Sequence, residues 1–224
     1  MKTKQSFYQQ HKLTIGVSCL VLAGIIVVSR WLMPPPTARQ VATNAIHCYA
    51  ENNADCLIGL ATPSEIKVQS LNSQNLSSIL KLTKSELFPG ASPTGEVTIE
   101  DIEGKGATAF QTFRTSNGGS FIASFTARQT ENGYKLHSLL VSVYHGPILS
   151  LSKNSTPADP GGLDKILRLR QIAEFGDKKL SPLGVQGTPE YGDLGLKLRT
   201  WQEVIQKYDS GLLAKGLKPL PPLE

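Results

Sequence analysis

The spacing of apolar residues changes character three times along this chain. From Leu13 to Ser29 (LTIGVSCLVLAGIIVVS) there are 17 residues without a charge, and Trp31, Leu32 and Met33 carry the apolar run past Arg30. At about 1.5 Å per residue, residues 13–33 reach roughly 30 Å, the thickness of a bilayer's hydrocarbon core. The run predicts a single-pass transmembrane anchor, with Arg30 near enough to its end to snorkel and Trp31 suited to the interface. No A-x-A-like cleavage site follows it, only Pro34, Pro35 and Pro36, so an uncleaved anchor is expected rather than a removed signal peptide. Residues 1–12 hold Lys2, Lys4 and Lys12 and no acid. The positive-inside tendency keeps such a tail in the cytoplasm and exports the rest. Cys19 falls inside the run and reads as a membrane-buried thiol.

After the prolines the period becomes 3.6. Val41, Ala45, Cys48 and Tyr49 stand at i, i+4, i+7 and i+8, the stripe of an amphipathic helix. Thr62-Pro63-Ser64-Glu65 has capping-box residues with proline at the first helical position. Leu76, Ile79, Leu80, Thr83 and Leu87 mark a further core-facing helix, stopped by Phe88-Pro89-Gly90. Cys48 and Cys56 are eight residues apart. On one straight helix that is about 12 Å, beyond the roughly 4.4–6.8 Å between Cα atoms that a disulfide needs. If they pair, the chain turns between them, and Glu51-Asn52-Asn53-Ala54-Asp55 supplies the turn, with Asp55 placed to cap the next helix. In an exported, oxidising setting the expectation is a helical hairpin clasped by a Cys48–Cys56 disulfide; the alternative is two reduced, buried thiols.

From Gly95 the period falls to 2. Val97 and Ile99, then Phe121, Ala123, Phe125 and Ala127, then Tyr134, Leu136, Leu139, Val141 and Val143 trace strand faces. Turn signals at Gly104 to Gly106, Asn117-Gly118-Gly119 and Asn132-Gly133 separate the runs. The reading is an α+β domain over residues 34–150: a four-stranded antiparallel meander over about 95–146, covered on one apolar face by the preceding helices.

Helices first, then a long antiparallel meander, with a stretch at Glu65 to Leu71 able to hold a short strand, resembles the NTF2-like α+β cone. The similarity is architectural and covers about 37–150. It implies a curved sheet and helices around a pocket, which that superfamily uses variously for ligands, for enzymes or for dimer and partner contacts. An anchored, exported domain of this type is also similar in layout to bitopic assembly components of bacterial type IV secretion systems. This chain departs from them in its 12-residue cytoplasmic tail and its long C-terminal extension, so no residues carry over.

Residues 151–162 are poor in apolar residues and rich in breakers, as a linker is. Beyond them, 163–224 reads as a helical appendage: Leu163, Ile166, Leu167, Arg170 and Phe175 suggest one amphipathic helix, and Trp201, Val204, Ile205, Tyr208 and Leu212 a second. The proline-rich end, Leu217 to Leu223, has a polyproline II composition. Two such helices cannot bury much core alone. They pack on the chain's own sheet, on the membrane surface or on another protein, with Phe175, Trp201, Tyr208 and Leu212 the candidate docking residues.

Composition changes this picture in one respect. The sequence carries a formal net charge of +5, with 23 Lys+Arg against 18 Asp+Glu. The first 33 residues hold four of the bases and none of the acids, which leaves 19 bases against 18 acids, a net of +1, in the remainder. The basic balance is the anchor's signature and no sign of a nucleic-acid surface. Four histidines and three cysteines provide neither a disulfide-dense scaffold nor a recognisable metal motif, and no cofactor is expected. Gly104 to Ala109 matches G-x-G-x-x-A, yet Phe110-Gln111-Thr112-Phe113-Arg114 reads on as a strand where a dinucleotide site needs a helix. If the cone holds a pocket, Phe125, Tyr134, His137 and Tyr144 are its candidate lining. Asp101, sharing strand parity with Ile99, could then point inward with a raised pKa as an acid/base group; the competing reading is that Glu100, Asp101 and Glu103 form an acidic strand end in solvent. The function expected is that of a membrane-anchored, exported, non-enzymatic interaction or assembly component of the cell envelope. It would contact the bilayer through 13–33 and either another envelope protein or a second copy of itself. The alternatives are a small-apolar-ligand binder or, third, an enzyme.

Overall fold

The computed structural model describes residues 34–151, 162–192 and 195–218. The chain divides into two compact units, Met1–Pro36 and Thr37–Glu224, of which the second carries an α+β domain. The expected tail and anchor over 1–33, all but the ends of the linker and the end of the proline-rich tail lie outside the described residues. Among the described residues, no helix is long and apolar enough to cross a membrane.

Four helices come first: α1 (Ala38–Ala50), α2 (Ala54–Leu60), α3 (Pro63–Val68) and α4 (Ser73–Leu82), the last running into a π-turn at Thr83–Leu87. Thr37 and Gln40 close a reciprocal capping box at the start of α1. The cap of α2 is Asn53, whose Oδ1 accepts from the Cys56 N–H at 3.0 Å, and not Asp55. Asn53 sits one residue before the first helical position, where its carbonyl reaches the orphan donors, and Asp55 is already inside the first turn. The possible strand at Glu65 to Leu71 is helical instead. Pro63 and the Thr62 cap start α3 there, which buries Glu65, and Leu71 is buried in the turn that follows.

Four strands follow in the order β1-β2-β3-β4: β1 (Ser92–Ile102), β2 (Gly106–Arg114), β3 (Ser120–Thr130) and β4 (Gly133–His137), all antiparallel. Gly133, at φ 90°, makes the tight β3–β4 turn that the Asn132-Gly133 pair announced. The predicted strand over Leu139, Val141 and Val143 is helical: a π-turn at Val141–His145 leads into α5 (Gly146–Ser150). Leu139, Leu140, Val143 and Tyr144 are buried at the i, i+1, i+4, i+5 spacing of a helix, whereas the alternate positions 139, 141 and 143 read equally as a strand, so a short apolar run alone could not choose. What the helix achieves is cover. β4 pairs only with Thr126 to Thr130, which leaves the earlier half of β3 without a neighbour on that side. There α5 packs, and Ser150 Oγ accepts from the Ile122 N–H at 2.9 Å and lies 3.2 Å from the Ile122 carbonyl oxygen. The backbone N–H of Ile122 on that edge is thereby satisfied.

Helix α1 lies across β2 and β3. Its small residues Ala38, Ala42 and Ala45 meet the fully buried Ala107, Ala109, Ala123 and Ala127 of the sheet, which lets helix and sheet approach closely. At the other end aromatics fill the space: Tyr49 stands edge-on to Phe113 with centroids 5.4 Å apart, and Phe113 stacks on Phe121 at 5.3 Å. Burying each such ring contributes roughly 2–3 kcal/mol.

The C-terminal region is helix, hairpin, helix: α6 (Gly162–Phe175), β5 (Gly187–Gly192), β6 (Gly195–Thr200) and α7 (Trp201–Leu213). The hairpin corrects the expectation of a purely helical appendage. Pro189 interrupts its strand signal and each strand is six residues long, so little alternation was available to read. Trp201, Phe175 and Tyr144 join the same buried cluster as the sheet, with Tyr144 6.0 Å from the Trp201 ring. A β-carbon on Gly176 would fall 2.6 Å from the Trp201 ring, so only glycine allows this approach.

Candidate functional site

Cys48 and Cys56 form a disulfide, with Cα atoms 5.9 Å apart, that ties α1 to α2 across the turn. The Asn53 N–H donates to the Cys48 carbonyl at 2.8 Å within that turn. Lys84 finishes α1 from outside: its Nζ donates to the Tyr49 carbonyl at 2.8 Å and to that of Ala50 at 3.3 Å, over the Tyr49 ring. A cation there complements the helix's negative end, while burial pulls the lysine down to about 8.

The five pocket candidates do not converge. Phe125 is sealed in the inner face beside Tyr49, and Tyr134 packs half-buried against the core from β4. His137 is opposite Thr126, the register of the outer face, and burial with nearby Arg128 lowers its pKa. Tyr144 is on a helix, buried against Phe175 and Trp201. Asp101 has inner-face parity, opposite Ala107, but at a strand end where Arg39 of α1 meets it with two hydrogen bonds. Both side chains remain more than half exposed. Arg39 holds the Asp101 carboxylate below its ordinary range, the opposite of the raised value an inward acid would show. The inner face is occupied by α1 and by the buried rings of Tyr49, Phe113, Phe121 and Phe125.

The docking candidates are placed differently from one another. Phe175, Trp201 and Leu212 are buried within the chain, and the Trp201 indole N–H donates to the Val185 carbonyl at 2.9 Å. Tyr208 is half-buried and lines a cleft of ≈ 210 Å³ between α6, the β5–β6 hairpin and α7. Leu169, Ile172 and Trp201 supply that cleft's apolar wall, and His145 part of its floor. His145 is half-buried as a residue, but its Nε2 is sealed from solvent without a hydrogen-bond partner, and burial depresses the imidazole to about 3.

A second concavity, ≈ 400 Å³, opens on the outer sheet face. β1 bulges between Thr94 and Thr98, and Glu96, Thr98 and Glu100 of that strand face Phe110, Thr112 and the 45% exposed Ile122 across the groove. Among the described residues β1 is an edge strand, with one side of its backbone unpaired by any strand.

Three features were missed in the sequence. Arg170, buried, binds Glu174 and Asp209 and so joins α6 to α7. Its i,i+4 pairing with Glu174 was legible; Asp209, 39 residues away, was not. The fit of Gly176 under Trp201 and the Lys84 cap depend equally on contacts between distant segments. Compared with family models, with curated proteins and with solved structures, the chain matches none.

Proposed function

We propose that this chain is a membrane-anchored, exported, non-enzymatic interaction component of the cell envelope, built on an NTF2-like domain that recognises its partner on the outer sheet face. The observation that carries this reading is the filled inner face. A cone whose interior is occupied by its own helix and aromatic rings leaves recognition to its outside. The outer groove supplies apolar Phe110 and Ile122 beside the carboxylates of Glu96 and Glu100, next to an edge strand able to accept another. An extended segment of a partner, with basic and apolar residues alternating, matches that chemistry. Two copies of this chain paired through β1 would bring these acids together, which disfavours self-association at this edge. The Cys48–Cys56 disulfide supports an oxidising location, and the uncharged run over 13–29 with its basic leading flank supports the anchor and its orientation. Arg39 pairs with Asp101 and holds its carboxylate low, which weighs against the acid/base alternative.

Protease treatment of cells with a permeabilised envelope but an intact inner membrane tests the topology. The expected outcome is digestion of the domain, protection of a short fragment from the anchor and tail, and no free thiol at Cys48 or Cys56 in non-reduced digests. A fully protected domain with free thiols contradicts the reading.

A further inference from the structure

We propose that the groove on the outer sheet face is a pocket for an arginine side chain of the partner, with the guanidinium over the Phe110 ring and against the carboxylates of Glu96 and Glu100. The owner of that arginine rests on the docking reading above, whereas the pocket rests on its own walls. Phe110 has the parity opposite to the inward Ala109 and Phe113, so its half-buried ring belongs to the outer face. On β1, Thr98 is directly opposite Phe110, and Glu100 follows on the same face opposite Thr108. Between Thr94 and Thr98 the register slips, so that Gly95, Glu96 and Val97 together oppose Gln111 of β2. The bulge is pinned: Gly95 takes φ 72°, Gln111 Nε2 donates to its carbonyl at 3.2 Å, and Val97 packs against the core. A bulge re-aims the side chain it carries, and here Glu96 enters the wall that Glu100 and Phe110 also line.

Those walls select the ligand. The residues lining the ≈ 400 Å³ groove include two carboxylates and no cation. Among the described residues neither Glu96 nor Glu100 has an ion-pair partner, unlike Asp101, which Arg39 binds. The Phe110 ring likewise has no cation or second ring over it among the described residues. Two unpaired carboxylates beside an open aromatic face attract an organic cation. A guanidinium fits both features at once, because its donors lie in one plane and can meet two carboxylates while its face rests on a ring. An ammonium is a compact and strongly hydrated charge that cannot do both as well. Ile122, 45% exposed in the same groove, gives apolar surface to the methylenes of the arginine stem.

The test uses full-length protein in uncharged detergent micelles with ¹⁵N-labelled phenylalanine, whose seven backbone signals include Phe110, identified by its loss in Phe110→Leu, and the buried Phe88 and Phe125 as internal controls. The probes are the acetylated amide Thr-Val-Arg-Val-Thr and the same peptide with lysine or with citrulline, the uncharged isostere, in place of arginine. The arginine peptide should give a saturable shift of the Phe110 signal at a dissociation constant of about 1 mM or tighter. Lysine should bind about threefold more weakly and citrulline about tenfold more weakly. Glu96→Gln with Glu100→Gln, both exposed changes, should weaken the arginine peptide about tenfold while leaving the unliganded spectrum in place. Added salt should weaken its binding to the unaltered protein, a readout that needs no variant. No saturable Phe110 shift, citrulline binding as well as arginine, or binding indifferent to the double glutamine change overturns the proposal. Photo-crosslinking from Ile122 in cells separates the two claims. A partner adduct there, with citrulline matching arginine on the purified protein, overturns the pocket and leaves the docking reading. Arginine-selective binding with no adduct from the sheet supports the pocket and overturns the docking reading.

Discussion

Gly176 and His145 show how far single positions on the C-terminal region depend on what packs over them. The Trp201 ring rests where a β-carbon of residue 176 would be, 2.6 Å away, and the indole is fixed by Val185, so it cannot yield easily. Gly176→Ala is expected to cost about 1–3 kcal/mol by overpacking, read as a lower urea midpoint with an unchanged slope. His145 makes a prediction about pH. Its folded pKa, about 3, lies below its ordinary 6.5, so as pH falls the unfolded chain takes up the proton first. The contribution of His145 to stability is therefore complete above about pH 6.5 and is lost progressively toward pH 3, at up to roughly 1.4 kcal/mol per pH unit. His137 shifts in the same direction, so the comparison is with His145→Leu, which should flatten the fall in the urea midpoint between pH 6.5 and 5 without abolishing it. An unchanged profile contradicts the assignment. Neither residue could be read from sequence as special, because each depends on a neighbour in another segment.

At the scale of elements, the disulfide and the buried ion network hold pairs of helices that are short or isolated on their own. Closing so short a loop contributes roughly 2.5 kcal/mol in the chain-entropy model, so Cys48→Ala with Cys56→Ala should lower stability by about that amount in a denaturant melt. Asp209→Ala removes one of the two carboxylates that bind Arg170 between α6 and α7, and a loss of about 1.5–3 kcal/mol is expected in the same measurement. Local signals were legible here: the α1 stripe, the Thr62-Pro63 start of α3, the halt at Phe88-Pro89-Gly90 and the Asn132-Gly133 turn all act over a few residues. The helix over residues 139–150 was not, because its formation is decided by the unpaired half of β3 beside it and by the Ser150 contact with Ile122, which is 28 residues away. Asp101 teaches the same point at the sheet's end. Its parity was readable, but its environment is set by Arg39 from another element, 62 residues distant.

For the whole molecule, the C-terminal region is part of the domain and not a detachable appendage, since Tyr144, Phe175 and Trp201 share one buried cluster with the sheet. Removing everything after Leu151 should therefore expose Tyr144 and destabilise the remainder, so partner contacts are better mapped on the intact chain. The central claim is that recognition lies on the outer sheet face. In-cell photo-crosslinking with a photoreactive amino acid placed in turn at Thr98, Thr112 and Ile122, and at Gln202 on the exposed face of α7 as a control, tests it most directly. The account predicts one discrete protein adduct shared by the three sheet positions, absent at Gln202, and weakened when Glu96 and Glu100 are both changed to lysine. An adduct at Gln202 alone, or none at the three sheet positions, would contradict it.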